Sequence, residues 1–252
     1  MALSEKNIRN IFIYAAPKFA GYGLNLITLP ILTRILTPDD FGILALAWLF
    51  PTIAVSVFTL GLIPAAQRYY FEYRTDNKKL DAFIFSSQIF LYFSLIGSSF
   101  VVFFLKDYIS KLLLGNTKYG MAVFVMFIAV FLGEIINFYL YLYQNMEKAV
   151  SHSKFTITRA ALTSMISLLL VWYFEMSYMG MINGSFIGAF VVCSVMFFQF
   201  NKNPKLNFNS KILLENIKYG LQVVPKSFTG FINKFFDKYM LNNMVSLSAV
   251  GV

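Results

Sequence analysis

The sequence predicts an all-α protein that crosses a membrane several times, and three observations carry the prediction. First, 58% of the 252 residues are hydrophobic and only 13% are charged, against about 25% charged in soluble domains. With a mean hydropathy of +0.65, the chain has too little polar surface to face water alone. Second, several apolar runs reach the roughly 20 residues needed to cross a bilayer core. Third, these runs are too long for strands and lack the alternating pattern of a membrane barrel. Helices remain, because they pair every backbone polar group within the segment.

Six runs meet the length requirement: residues 11–32, 41–66, 82–105, 121–143, 155–174 and 178–200. A seventh, 221–245, is long enough but carries several charges. The first run is too long for a signal peptide and has no small-residue cleavage site, so it is expected to stay as an anchor. Between the runs, 67–81 (QRYYFEYRTDNKKLD) reads as an interfacial turn and 106–119 as an outer loop with a short amphipathic piece, SKLLLGN. Residues 144–154 form a turn, 175–178 a very short one, and 201–210 (NKNPKLNFNS) a linker broken by Pro204. Residues 212–219 read as an interfacial amphipathic helix leading into the seventh run.

Charge gives the orientation. With the N-terminus inside, thirteen of the 21 Lys and Arg fall on the inner side, Arg159 counted among them. Four (Arg34, Lys106, Lys111, Lys118) fall outside and four (Lys18, Lys226, Lys234, Lys238) within runs. This bias places the N-terminus in the cytoplasm. It also explains the net charge of +9 by membrane topology, so nucleic acid is not an expected partner. The single cysteine, Cys193, excludes an internal disulfide, and the lone His152 has no second metal ligand near it in sequence. No metal site is expected.

Charges within a span cost about 2.5–3.5 kcal/mol on insertion scales, so polar stripes on the helices are the candidate sites. Lys18, Tyr22 and Asn25 share a face of the first run by helical spacing. Glu134, Asn137, Tyr141 and Gln144 lie along the fourth. Lys226, Gly230, Lys234 and Asp237 run down the seventh, with Lys238 at the edge. The blander reading of Lys18 and Lys226 is snorkelling to the nearby interface. Glu134 and Asp237 have ion pairing as theirs.

The chain also carries short motifs. Residues 29–42, LPILTRILTPDDFG, close one run and open the next, with Thr37-Pro38 ending a helix and Asp39-Asp40 at a helix N-terminus, where carboxylates complement the dipole. LGLIPAAQRYYFEY (60–73), Phe236-Asp237-Lys238-Tyr239 and Leu247-Ser248-Ala249-Val250-Gly251 are the others. Pro17-Lys18 followed by Gly21 is echoed by Pro225-Lys226 followed by Gly230, and Asp40-Phe41-Gly42-Ile43 by Ala249-Val250-Gly251-Val252. Together these resemble Wzx-type polysaccharide flippases of the multidrug/oligosaccharidyl-lipid/polysaccharide exporter superfamily. Lys238 stands where that family commonly has arginine, which removes the planar bidentate geometry there.

The resemblance implies a MATE-like architecture. Residues 1–210 would form a six-helix bundle, and 211–252 the interfacial helix and first span of a second bundle. On this reading the chain resembles the first half of a longer flippase plus one helix. The resemblance further implies transport, without covalent chemistry, of undecaprenyl-diphosphate-linked oligosaccharide across the bacterial inner membrane for O-antigen or capsular polysaccharide. Lys18, Lys226, Lys234 and Lys238 would meet the diphosphate, and Asn25, Asn137 and Tyr141 the sugars. Asp237 belongs to the same cavity-lining set. Glu134 would couple to H+ or Na+, with no other cofactor. The lipid bilayer, a polysaccharide polymerase and a chain-length regulator are the implied partners. The alternatives are an inactive truncated flippase and a MATE-type small-molecule exporter, which would favour acidic cavity residues. A membrane enzyme would need a large Arg-rich outer loop or an Asp-rich cytoplasmic motif, neither of which is found.

Overall fold

A computed structural model describes residues 5–202, 207–244 and 248, with side chains from residue 9 on except at 11, 226–239, 241 and 243. It is 89% helix, with no strand among the described residues, so the chain is an all-α polytopic membrane protein. Five stretches combine the length and apolarity of a span: Pro38–Phe58, Asn77–Leu114, Thr117–Asn145, Ala149–Trp172 and Ser177–Phe200.

The first helix, α1 (Glu5–Ile35), is 31 residues long and contains Pro17 and Pro30. It ends before Thr37, which caps α2 (Pro38–Ala47). The cap is a reciprocal box. The Asp40 N–H donates to Thr37 Oγ1 at 3.2 Å, and the Thr37 N–H donates to Asp40 Oδ2 at 2.9 Å. The acidic pair expected at a helix start is therefore there, with Thr37 rather than an aspartate as the cap. Ser177, the first residue of the stretch Ser177–Phe200, donates its hydroxyl to the other Asp40 oxygen and ties that helix start to the start of α2.

The second run is not one helix. It breaks at Trp48 into α2 and α3 (Leu49–Phe58), then at Leu60-Gly61 before α4 (Leu62–Tyr73). Both break residues adopt positive φ, 50° and 65°, and a Cβ at Gly61 would collide with the Gly220 backbone. Much of the expected interfacial turn at 67–81 is thus helix. Its pattern explains why: Ala65, Ala66, Tyr70 and Tyr73 face inward while Gln67, Arg68, Phe71 and Glu72 face out.

Asp76 caps α5 (Asn77–Leu114) by accepting from the Lys78 and Lys79 N–H groups. At 38 residues this helix is about 57 Å long, well beyond the ~30 Å hydrocarbon core. The outer loop expected from residue 106 is its last two turns, closed by Gly115 at φ 71°. After a 3-10 turn at Thr117–Tyr119 comes α6 (Gly120–Asn145). It is apolar on all sides but the one that carries Glu134, Asn137 and Gln144, and it forms the centre of the core: Phe127, Phe131, Phe138, Tyr139 and Ile136 are fully buried.

The next pair, α7 (Ala149–Trp172) and α8 (Ser177–Phe200), packs backbone to backbone. Gly180, Gly184 and Gly188 of α8 lie against Val171, Ser167 and Thr163 of α7, and a Cβ at any of them would clash. α1 has α7 as its main partner, with the Ser153 hydroxyl donating to the Ile13 carbonyl at 2.5 Å and Tyr14 edge-on to His152.

The last helix, α9 (Ser210–Met244), is continuous through the positions expected to separate an interfacial helix from a span. Asn209 caps it, accepting from the Lys211 and Ile212 N–H groups, while its own N–H donates to Ser86 of α5. Tyr73 donates to Glu215 at 3.2 Å and the Arg68 guanidinium sits over the Tyr219 ring, so the start of α9 is fastened to α4. Burial, reinforced by the Glu215 carboxylate, pushes the Tyr73 phenol above its ordinary pKa.

Candidate functional site

The polar recess of the bundle lies between α1, α6 and α7. It is a cleft of about 390 Å³. Helical spacing brings its polar lining together: Thr156, Arg159 and Thr163 fall on one side of α7 at steps of three and four, with Ser164 next to Thr163, and the cleft is also lined by Asn25 of α1 and Ser185 of α8.

Arg159 is the focus. It lies ten residues into α7, about 15 Å from the helix start, and is partly buried. One guanidinium nitrogen donates to the Gly133 carbonyl of α6 at 3.4 Å, a long bond for this donor. The guanidinium lies close against Gly133, where a Cβ would make it shift. Glu134, next to that glycine and near the middle of α6, interacts electrostatically with Arg159. Glu134 accepts from Asn137 Nδ2 at 2.9 Å. The fork of an arginine carries five donors, and one long bond to a carbonyl engages little of that capacity.

The expected site residues divide. Asn25 lines the cleft. Lys18, two turns nearer the N-terminus, is exposed and outside the lining, and Tyr22 is 67% exposed. Glu134 and Asn137 are bonded to each other beside Arg159, while Tyr141 is half-buried against the apolar core. The side chains of Lys226, Lys234, Asp237 and Lys238 lie outside the described residues, as do those of the motif at 247 and 249–251. No cluster of three metal-ligating side chains occurs among the described residues.

Sequence reading missed Arg159 as a site residue by counting it with the inner-loop charges. The signal was present, because it falls inside the apolar run 155–174 with hydroxyl residues one turn away on either side. The glycine stripe of α8 is also visible in sequence as Gly180-x3-Gly184-x3-Gly188.

No curated protein and no solved structure matches the chain. A family model described as "Polysaccharide biosynthesis protein" matches residues 8–252. The match runs through every helix described above, and with it the chain belongs to the polysaccharide biosynthesis protein family, that of the Wzx-type flippases and exporters.

Proposed function

We propose that this protein moves undecaprenyl-diphosphate-linked oligosaccharides across the bacterial inner membrane, for O-antigen or capsular polysaccharide, with its N-terminus in the cytoplasm. The observation that carries this reading is the arginine in a hydroxyl- and amide-lined cleft at mid-span. Such a residue is costly in a membrane and asks for a reason. The diphosphate of the cargo supplies one, since a guanidinium binds phosphate oxygens in bidentate fashion. Asn25, Thr156 and Ser185 offer partners to sugar hydroxyls. Glu134 balances Arg159 when the cleft is empty, and a proton or sodium ion could take over that balance once cargo engages the guanidinium.

In this proposal α1 and α9 also cross the membrane, residues 1–210 act as one lobe, and 211–252 begin a second. Lys18, Lys226, Lys234 and Lys238 add positive charge along the route, with Asp237 and Tyr141 in the same set. Handover to a polymerase and a chain-length regulator follows on the outer face. No covalent step is involved. A small-cation exporter is less well supported, because the carboxylate near the cleft is matched by Arg159.

The test is complementation in a bacterium lacking its own flippase. Surface polymer should return with the wild-type chain and be lost with Arg159→Gln, while lipid-linked repeat units accumulate on the inner leaflet. Undiminished surface polymer with Arg159→Gln, at equal membrane abundance, would sink the proposed role of the cleft.

A further inference from the structure

We propose that Trp48 is a specificity-determining residue of the cleft, its indole stacking on the sugar ring bonded directly to the cargo diphosphate. The proposal rests on the transport reading above and adds the sugar side of recognition. Trp48 lines the same recess as Arg159, Asn25 and Ser185. At about 390 Å³ that recess is in the size range of small-ligand sites. The larger recess, a groove of about 680 Å³ between α5 and α8 that ends at Gln88, is lined mainly by apolar side chains. The polar cleft is therefore where a sugar finds hydroxyl partners.

The local fold turns the indole out of the core. Leu46, Ala47 and Leu49 on either side of it are 0–2% exposed, whereas Trp48 is 53% exposed. Trp48 is the joint between α2 and α3. Its N–H donates to the Leu44 carbonyl at 3.2 Å, and its own carbonyl accepts from the Thr52 N–H at 3.3 Å and the Thr52 hydroxyl at 2.8 Å. The backbone of the joint is held from both sides while the ring stays outside the packed interior.

Depth excludes the ordinary role of a membrane tryptophan. Such residues gather at the two interfaces, as Trp172 does, 75% exposed at the last residue of α7. Trp48 stands ten residues from either end of the 21-residue stretch Pro38–Phe58, about 15 Å from each by helical rise. That is the middle of the hydrocarbon core, where an indole beside a polar recess is no interfacial anchor. Arg159, ten residues into α7, lies at a matching depth. Guanidinium and indole therefore share one recess and one level.

The chemistry follows from that juxtaposition. A diphosphate on the guanidinium brings its first sugar alongside. A pyranose carries a face of C–H bonds, weakly positive, which packs on the negative π face of an aromatic ring. Its hydroxyls lie at the edge, where Asn25 and Ser185 offer partners and the indole N–H adds a donor. A bare polyprenyl diphosphate has nothing to place on the ring.

The experiment uses the purified full chain with Trp172→Phe, which leaves Trp48 as the one remaining tryptophan. It is titrated with undecaprenyl diphosphate, bare or carrying a single N-acetylglucosamine or galactose. Native mass spectrometry counts bound lipid, and tryptophan emission reads the indole. A glycosylated lipid should bind about two- to tenfold tighter than the bare one, the range of one aromatic contact, and should alone shift the emission. Trp48→Leu should bind both forms equally, and Trp48→Phe should keep part of the preference. Equal binding of bare and glycosylated lipid to the chain with Trp48 intact would overturn the proposal, and needs no change at Trp48. So would an equal emission shift from the bare lipid, or a sugar preference that survives Trp48→Leu. Bare undecaprenyl diphosphate tests the transport reading separately. If it binds, and Arg159→Gln weakens it, that reading stands whatever becomes of Trp48. If neither lipid form binds, both fall.

Discussion

The cleft that holds Arg159 and the groove that ends at Gln88 both open beside α6, and they are built from different chemistry. The cleft takes its lining from Ala129 and Val130 of α6 and the hydroxyl face of α7, and it contains Arg159, with Glu134 close behind it. The groove takes Leu132 from the same helix and phenylalanines from α5 and α8. Val130 and Leu132, two positions apart and so on opposite sides of α6, face different recesses. The polar cleft holds a charge, Arg159, that interacts electrostatically with Glu134. The groove is held by walls whose outer surfaces already face hydrocarbon. Substitutions in the cleft should therefore be expensive in stability and those on the groove walls cheap.

The largest effect is expected from splitting the charged pair. Arg159→Met should destabilise the protein by about 3–5 kcal/mol, because Glu134 is left without its counter-charge in the membrane interior. Glu134→Gln alone should be costly for the mirror reason. The double variant should lose much less than the sum of the two, since both charges are gone. A double-mutant cycle measured by denaturant unfolding in mixed micelles checks this. Additive effects would mean the two residues do not act as a pair, and the contrast between the recesses would weaken accordingly.

α8 contributes to both recesses and packs tightly on α7, and Gly184 tests that contact. A Cβ there meets the Ser167 backbone, which cannot yield as a flexible side chain would. Gly184→Leu should cost about 1–3 kcal/mol or more as overpacking, with Gly184→Ala milder. Thermal unfolding in detergent reads the difference, and an unchanged midpoint for the leucine variant would show that the helices are not in close contact.

How much of this was legible in sequence depends on the kind of signal. The helical class followed from apolar run length and the turn at 37–40 from its Thr-Pro-Asp-Asp pattern, although the cap is Thr37 where the sequence pointed to an aspartate. The break at Trp48 was not legible, since no glycine or proline stands at that residue; Pro51 sits in the first turn of the following helix, where proline is tolerated. Residues 67–73 and 106–114 are polar enough to read as loops, yet they are helix because each has an inward apolar face with a partner. Asn25, Glu134 and Asn137 are candidates that helical spacing singles out; the structure puts Asn25 on the cleft and Glu134 and Asn137 together near Arg159. Arg159 was lost because positive-inside counting assigns cations near a span's end to the loop before it. The electrostatic interaction of Glu134 with Arg159 runs between two helices, and sequence spacing within one helix says nothing about it.

A smaller effect is expected where the cleft's outer wall is hung. α1 leans on α7, and the Ser153 hydroxyl bonded to the Ile13 carbonyl is one of its ties. Ser153→Ala should cost about 0.5–1.5 kcal/mol. The loss should be local. Amide hydrogen exchange should quicken along α1 while α6 stays protected, because α6 is enclosed by the core and α1 is not. Equal acceleration in both helices would show that α1 is not an independently loosened wall.

The smallest effect belongs to the groove walls. Phe198 is 70% exposed, and on the lipid-facing side its ring exchanges contacts with hydrocarbon for contacts with hydrocarbon. Removing it opens no void that lipid cannot fill, so Phe198→Ala should shift stability by less than about 0.5 kcal/mol, the range of exposed substitutions. The same truncation at Phe131, which is fully buried in α6, should cost about 3–5 kcal/mol. Thermal midpoints of the two variants in the same detergent make the comparison. If Phe198→Ala approached the cost of Phe131→Ala, the groove would be packed against something the bilayer does not replace, and its wall would belong to the core.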